Sequence, residues 1–138
     1  MTHYQKAFSL QTTGKSFHDI TAKVESIVAQ SGVEVGLCTI FIRHTSASLV
    51  IQENADPDVQ RDLANFFSQL VPEDPLRYIH QAEGSDDMPA HIRSVLTRTS
   101  EQIPINKGRL VLGTWQAIYV WEHRKRSHHR EIVIHISS

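Results

Sequence analysis

The segment His80-Gln81-Ala82-Glu83-Gly84-Ser85-Asp86-Asp87-Met88-Pro89-Ala90-His91 holds two imidazoles and three carboxylates within twelve residues. A divalent ion needs several nitrogen or oxygen donors converging from short, bent chain. Gly84 lets the backbone turn sharply between them. His80 and His91 are therefore the first metal-ligand candidates, and Glu83 is a candidate ligand or catalytic carboxylate. Asp86 and Asp87 stand just before a helical pattern and read either as ligands or as caps of that helix. The spacing is neither His-Glu-x-x-His nor cysteine-based. Imidazoles with carboxylates admit zinc, magnesium or manganese, so the metal's identity stays open.

Four further clusters carry chemistry. His44-Thr45-Ser46-Ala47-Ser48 ends an apolar run. His44 reads as a third imidazole ligand or as a hydrogen-bonded histidine at a sheet rim. Ser46 suits hydrogen bonding to backbone or substrate, because no Gly-x-Ser-x-Gly elbow surrounds it. Glu53 and Asn54 precede Asp56-Pro57, which reads as a helix start, and a helix N-terminus attracts anions. Glu53 is thus a candidate general base and Asn54 a candidate substrate contact. In Leu112-Gly113-Thr114-Trp115-Gln116, Trp115 can stack on a planar heterocycle and Gln116 can hydrogen-bond a ligand. The run from His123 to Arg130 is strongly basic. His123, Arg124 and Arg130 are candidates to receive a phosphate or pyrophosphate, against the alternative of a solvated hairpin loop.

The elements that must position these groups follow from periodicity and turn chemistry. A first strand covers His3 to Leu10. Phe17, Ile20, Val24, Ile27 and Val28 recur at helical spacing, and Gly32 suits a left-handed helix end. Val33 to His44 reads as a buried strand and Ser48 to Gln52 as a short one. Asp56-Pro57 opens a helix with Val59, Leu63, Phe66 and Leu70 on one face. A third helix follows Asp86 or Asp87, with Ile92, Val95 and Leu96 as its buried face. Strands are expected at Gln102–Ile105, Arg109–Leu112, Gln116–Glu122 and Arg130–Ile136, with a turn at Asn106-Lys107-Gly108. Strands clustered apart from helices indicate an α+β fold. One compact domain over residues 1–138, with a mixed β-sheet and about three helices, is the expectation.

Composition supports an ordinary globular protein: 138 residues, 40% hydrophobic, 21% charged, net charge −1. That balance gives no case for nucleic acid or anionic membrane, and no aromatic platform accompanies the basic run. No apolar stretch approaches the roughly 20 residues of a membrane span, and Met1 to Leu10 lacks a signal-peptide pattern, so a cytoplasmic location is expected. The single cysteine, Cys38, lies in an apolar run and reads as a buried small hydrophobe.

Together, His44-Thr45-Ser46-Ala47-Ser48, Glu53-Asn54-x-Asp56-Pro57, His80-x-x-Glu83-Gly84-x-Asp86-Asp87-Met88-Pro89-Ala90-His91, Gly108-x-Leu110-x-Leu112-Gly113-Thr114-Trp115-Gln116 and Glu122-His123-Arg124 resemble the YjbQ-like family, also called the secondary thiamine-phosphate synthase family. The resemblance covers essentially the whole chain. It implies a homotrimer of α+β domains. It also implies a thiamine-phosphate synthase-type transferase of thiamine biosynthesis, joining a pyrimidine pyrophosphate to a thiazole phosphate and releasing pyrophosphate. A divalent metal and basic groups would neutralise the leaving pyrophosphate. The rival expectations are a non-catalytic protein binding a phosphorylated metabolite and a metal-dependent phosphate-ester hydrolase.

Overall fold

A computed structural model describes residues 2–138. These residues form eight strands and three α-helices, in the order β1 (His3–Gln11), β2 (Ser16–Asp19), α1 (Thr21–Ser31), β3 (Gly36–Ile42), β4 (Ala47–Glu53), α2 (Pro57–Leu70), α3 (Asp87–Leu96), β5 (Ser100–Asn106), β6 (Arg109–Leu110), β7 (Gln116–Glu122) and β8 (His129–Ser137). A single 3-10 turn, Pro75–Arg77, lies between α2 and α3. The α+β fold with three helices is as expected. The single mixed sheet is not. The strands form a five-stranded sheet, β1-β8-β3-β5-β6, and a three-stranded sheet, β2-β7-β4, and every pairing is antiparallel.

The core lies between the inner faces of the two sheets and α1. Ile40, Ile42, Ile132, Ile134 and Ile136 of the larger sheet meet Leu49, Ile118 and Val120 of the smaller one and Val24, Ile27 and Val28 of α1. β8 alternates strictly between buried and half-buried residues, the period-2 signature of a strand with one face inward. Cys38 is fully buried, and burial pushes its thiol up to about 11. Gly36 marks the closest backbone approach. A Cβ there would lie 2.2 Å from the Ser137 carbonyl oxygen.

Three local expectations need correction. Phe17 belongs to β2, opposite Trp121, and the helix begins only at Thr21, whose N–H donates to Asp19 Oδ1 at 2.9 Å. Its helical spacing from Ile20 is coincidental, and stacking on Trp121 (centroids 4.4 Å apart) outweighs it. α2 starts as expected, with Asp56 Oδ1 accepting from the Asp58 N–H at 2.9 Å. Yet none of its residues is buried, and Phe66 and Leu70 lie on the surface. α3 is inverted relative to its expected face. It buries Asp87, Pro89, Ala90, Arg93 and Ser94 and exposes Val95 and Leu96. A helix that turns its polar residues inward is organised around a polar site.

Candidate metal centre

α3 begins where the chain is bent. Gly84, at φ 108°, takes a conformation that a side chain would strain, and Pro89 fits the first turn of the helix. Helical spacing then puts Asp87 and His91 on one face, four residues apart. His80 reaches the same point from the preceding segment. His80 Nε2 lies 2.8 Å from Asp87 Oδ2, and His91 Nε2 lies 3.2 Å from the same oxygen. The three donor atoms all fall within 4.8 Å of one another. Tetrahedral bonds of about 2.0–2.1 Å set donors roughly 3.3 Å apart, so this trio has the dimensions of a metal cradle. Asp87 is 1% exposed, whereas the side chains of His80 and His91 are 48% and 30% exposed. The trio has a buried floor and an open mouth.

Its hydrogen-bond polarity is informative. His91 Nδ1 lies 3.0 Å from the Thr45 carbonyl oxygen. A carbonyl only accepts, so Nδ1 carries the hydrogen. In a neutral ring Nε2 then presents a lone pair to Asp87 Oδ2, which is also an acceptor. The contact is favourable only with a cation between the two atoms, either a second proton or a metal ion. A ring N–H fixed on a backbone carbonyl is also the usual outer support of a metal-bound histidine. The Asp87 carboxyl is pushed up by burial, but His80, His91 and Arg124 more than reverse this and hold it below the usual carboxylate range.

Arg124 fixes the floor. Its Nη1 donates to Asp87 Oδ1 at 2.6 Å, its Nε to Asp86 Oδ2 at 3.0 Å and its Nη2 to the Glu83 carbonyl at 2.9 Å. Asp86 Oδ2 also accepts from the Lys125 N–H at 2.9 Å. Asp86 occupies the N-cap position of α3, but neither acid caps it through its side chain, which corrects that expectation: Asp86 turns to Arg124 and the Lys125 N–H, and Asp87 to Arg124, His80 and His91. Behind Arg124 lies a second buried charge cluster. Glu122 is fully buried and accepts from Thr12 Oγ1 at 2.6 Å, from the Arg124 N–H at 3.1 Å and from both Nε and Nη2 of Arg130. Burial alone would raise the Glu122 carboxyl, and these donors lower it below its ordinary value.

The remaining candidates scatter. His44 shares an apolar pocket with His91, but its Nε2 accepts the Glu131 N–H at 2.7 Å, and it stands outside the trio. Burial, followed by the nearby Arg130, lowers its pKa. Ser46 is a partner of Arg130, accepting at 3.0 Å through Oγ. Glu53 sits at the far end of β4, roughly 20 Å along the strand from Ala47, and its carboxylate receives only the Asp56 N–H at 3.4 Å. Asn54, Trp115 and Gln116 gather around it: the Asn54 N–H donates to the Trp115 carbonyl at 2.9 Å, and Gln116 Oε1 accepts the Gly113 N–H at 2.8 Å. Glu83 is exposed at the rim beside Asp87. The basic run is solvated only in its middle, at Lys125, Arg126 and His129: β7 and β8 lie in different sheets, so it is no hairpin, and His123, Arg124 and Arg130 are buried. His123 pairs with Ser48 Oγ at 2.8 Å, and burial pushes its pKa down to about 3. Neither a neutral buried imidazole nor two internally saturated guanidiniums can receive a pyrophosphate. The Thr45 carbonyl has no residue-type signal at all. The buried Arg93 was missed as well, although its spacing four residues after Pro89 could have placed it on the inner face of α3.

Similarity to known proteins extends along nearly the whole chain. The model of the family described as "UPF0047 protein YjbQ-like" matches residues 6–138. A UPF0047 protein of Synechocystis sp. is 62% identical over 134 residues, covering 97% of this chain and 91% of its own. The UPF0047 protein YjbQ of Escherichia coli O157:H7 is 41% identical over 131 residues, covering 94% of each. Among solved structures, a Clostridium acetobutylicum protein of the YjbQ/UPF0047 family superposes with TM-score 0.87 at 38% identity, covering 96% of this chain and 99% of the other. A "YbjQ-like protein of unknown function" from Sulfolobus solfataricus gives TM-score 0.85 at 25% identity, covering 98% of each. These relatives bear family names or are described as of unknown function, and none of those names is a thiamine-phosphate synthase. The activity drawn from the resemblance is corrected accordingly: the relatives support the family and not that reaction.

Two outcomes follow from the buried charges. Arg124→Met leaves Asp86 and Asp87 without their buried partner and should destabilise the fold by about 3–5 kcal/mol in urea denaturation; a change within error would show that the clamp is dispensable. His123 is harder to protonate folded than unfolded, so between pH 6.5 and about 3 the unfolded chain takes up the proton first. Stability should therefore fall as pH drops through that window, with a His123 contribution of at most about 1.4 kcal/mol per pH unit. His123→Gln should flatten the profile, and an identical slope in the variant would contradict the assignment.

Proposed function

The chain belongs to the UPF0047 protein YjbQ-like family, and we propose that in it His80, Asp87 and His91 hold one divalent metal ion in a centre open to solvent. The observation that carries this reading is the pairing of two acceptors, His91 Nε2 and Asp87 Oδ2, while Nδ1 is committed to the Thr45 carbonyl. Two imidazole nitrogens and one carboxylate oxygen favour zinc or a similar transition ion over magnesium, which prefers oxygen ligands and retained water. When bound, such an ion supplies Lewis acidity toward an oxygen ligand at the exposed side of the trio.

The protein's own groups have separate tasks. Arg124 orients Asp87 through Oδ1 and leaves Oδ2 for the site. The Thr45 carbonyl fixes the His91 tautomer. Glu83, exposed beside Asp87, is the carboxylate positioned to exchange a proton with a molecule held at the mouth.

The homotrimer implied by the resemblance is part of the same proposal. Large apolar side chains close in sequence to the trio are left exposed: Leu76 and Ile79 precede His80, and Val95 and Leu96 follow His91 on α3. Exposed large apolar side chains in this number favour an association face.

Two measurements test these statements. Protein stripped with a chelator, reloaded with zinc and desalted should retain close to one equivalent by elemental analysis. Asp87→Asn and the His80→Ala/His91→Ala double variant, shown folded by circular dichroism, should retain less than a tenth of that; undiminished zinc in both would remove the site. Light scattering should give three times the 15.7 kDa chain mass, and Ile79→Asp/Val95→Asp should shift it toward the monomer. A monomeric native protein would rule out the assembly.

A further inference from the structure

On the other side of α3 from the His–Asp trio, the structure holds a second polar feature that no part of the proposed metal centre uses. Arg93 is 4% exposed. Its Nε is shielded from solvent without a hydrogen-bond partner, and its guanidinium forms no ion pair within 4 Å among the described residues. Arginine stays charged in proteins, and a buried charge without a partner is strongly unfavourable. Glu73 is the acidic group whose field reaches Arg93, but it makes no ion pair with it within 4 Å: Oε2 accepts from Lys15 at 3.1 Å, and Oε1, 3.1 Å from Lys125 Nζ, has no hydrogen-bond partner. This leaves a buried guanidinium and a half-buried lysine with one carboxylate shared between two lysines. Arg93 is left without an ion-pair partner of its own.

Arg93 lines a cleft of ≈360 Å³ between β2, β7 and α2, within the range of small-molecule sites. One wall is aromatic. Phe17 stacks on Trp121 at 4.4 Å and 20°, and Phe67 meets Trp121 edge-on at 4.9 Å. The opposite wall is a stripe of α2, with Pro57, Gln60, Arg61, Ala64 and Ser68 recurring at helical intervals. Arg61 already pairs with Asp58 at 2.7 Å, so Arg93 remains the unpaired cation. The half-buried Val59, Gln60, Leu63 and Phe67 mark the side of α2 nearer the sheet.

We propose that this cleft binds a small molecule carrying an oxyanion, carboxylate or phosphate, on a flat apolar body. The oxyanion sits on the Arg93 guanidinium with Lys15 beside it, and the body lies along Phe17 and Trp121. A planar guanidinium recognises either oxyanion through paired N–H donors, and a partly apolar cleft excludes heavily hydrated inorganic ions. The inference does not rest on the metal proposal, since the lining includes none of His80, Asp87 or His91.

The test uses the full chain in chelator-containing buffer, which removes any metal-borne anion site. Benzoate, phenyl phosphate and the neutral isostere benzamide are titrated while the backbone amide resonances of Ser16, Phe17, Gln60, Ala64 and Trp121 are followed by NMR. At least one of the two anions should shift these amides saturably, at least tenfold more tightly than benzamide. Saturation by benzoate alone assigns a carboxylate ligand, and by phenyl phosphate alone a phosphate. Arg93→Gln should weaken binding tenfold or more. Should that variant fail to fold, Gln60→Glu adds a negative charge at the surface-facing wall without disturbing the core, and should have the same effect. Equal binding of benzamide, unaltered affinity in Gln60→Glu, or no saturable shift with either anion would overturn the proposal.

Discussion

The guanidinium of Arg124 is the point on which the rest of the structure depends. It is buried, and each of its three nitrogens serves the segment that delivers the His–Asp trio: Asp86, Asp87 and the Glu83 carbonyl. Its own backbone N–H is held by Glu122, which in turn binds Arg130 at the start of β8. One chain of charge thus runs from the larger sheet, through the end of β7, to the first turn of α3. Buried ion pairs gain little net stability against an apolar alternative, but removing one member is severe. Here the gain is positional. The pairs fix where Asp87 Oδ2 points, and with it where two imidazoles can meet.

That constraint explains the inverted helix. α3 turns Asp87, Arg93 and Ser94 inward because the partners of its polar face lie inside: Arg124 for Asp87 and the Ala47 carbonyl for Ser94, at 3.4 Å. Arg93 alone lacks one, and it borders a cleft. Val95 and Leu96 of α3, and Leu76 and Ile79 of the segment before it, are left on the surface. The polar groups of α3 thus face inward, and part of its apolar surface faces outward.

Much of this was legible in the residues. The strands of the C-terminal half, the Asp56-Pro57 helix start and the left-handed Gly32 follow from turn chemistry and periodicity, and they recur in the structure. His80 and His91 stood out by type and spacing. What misled was burial. Arg124, Arg130 and His123 look like a solvated basic loop, because sequence does not reveal that the chain crosses between two sheets there and meets Glu122 and Asp87. Asp87 looked as much like a cap as a ligand, since both roles place an acid at a helix start. His44 reads equally as a third ligand or as a rim histidine, and only the fold commits its Nε2 to the Glu131 N–H. Phe17 was drawn into a helix by spacing that a cross-strand aromatic contact overrides.

Crystals of the native protein grown with zinc, with diffraction recorded above and below the zinc absorption edge, test the central claim most directly. An anomalous peak within bonding distance of His80 Nε2, Asp87 Oδ2 and His91 Nε2 is the predicted result. A peak only elsewhere, such as at the surface pair His3 and His135, whose ring nitrogens stand 3.3 Å apart, with His91 and Asp87 joined by a proton alone, would contradict it.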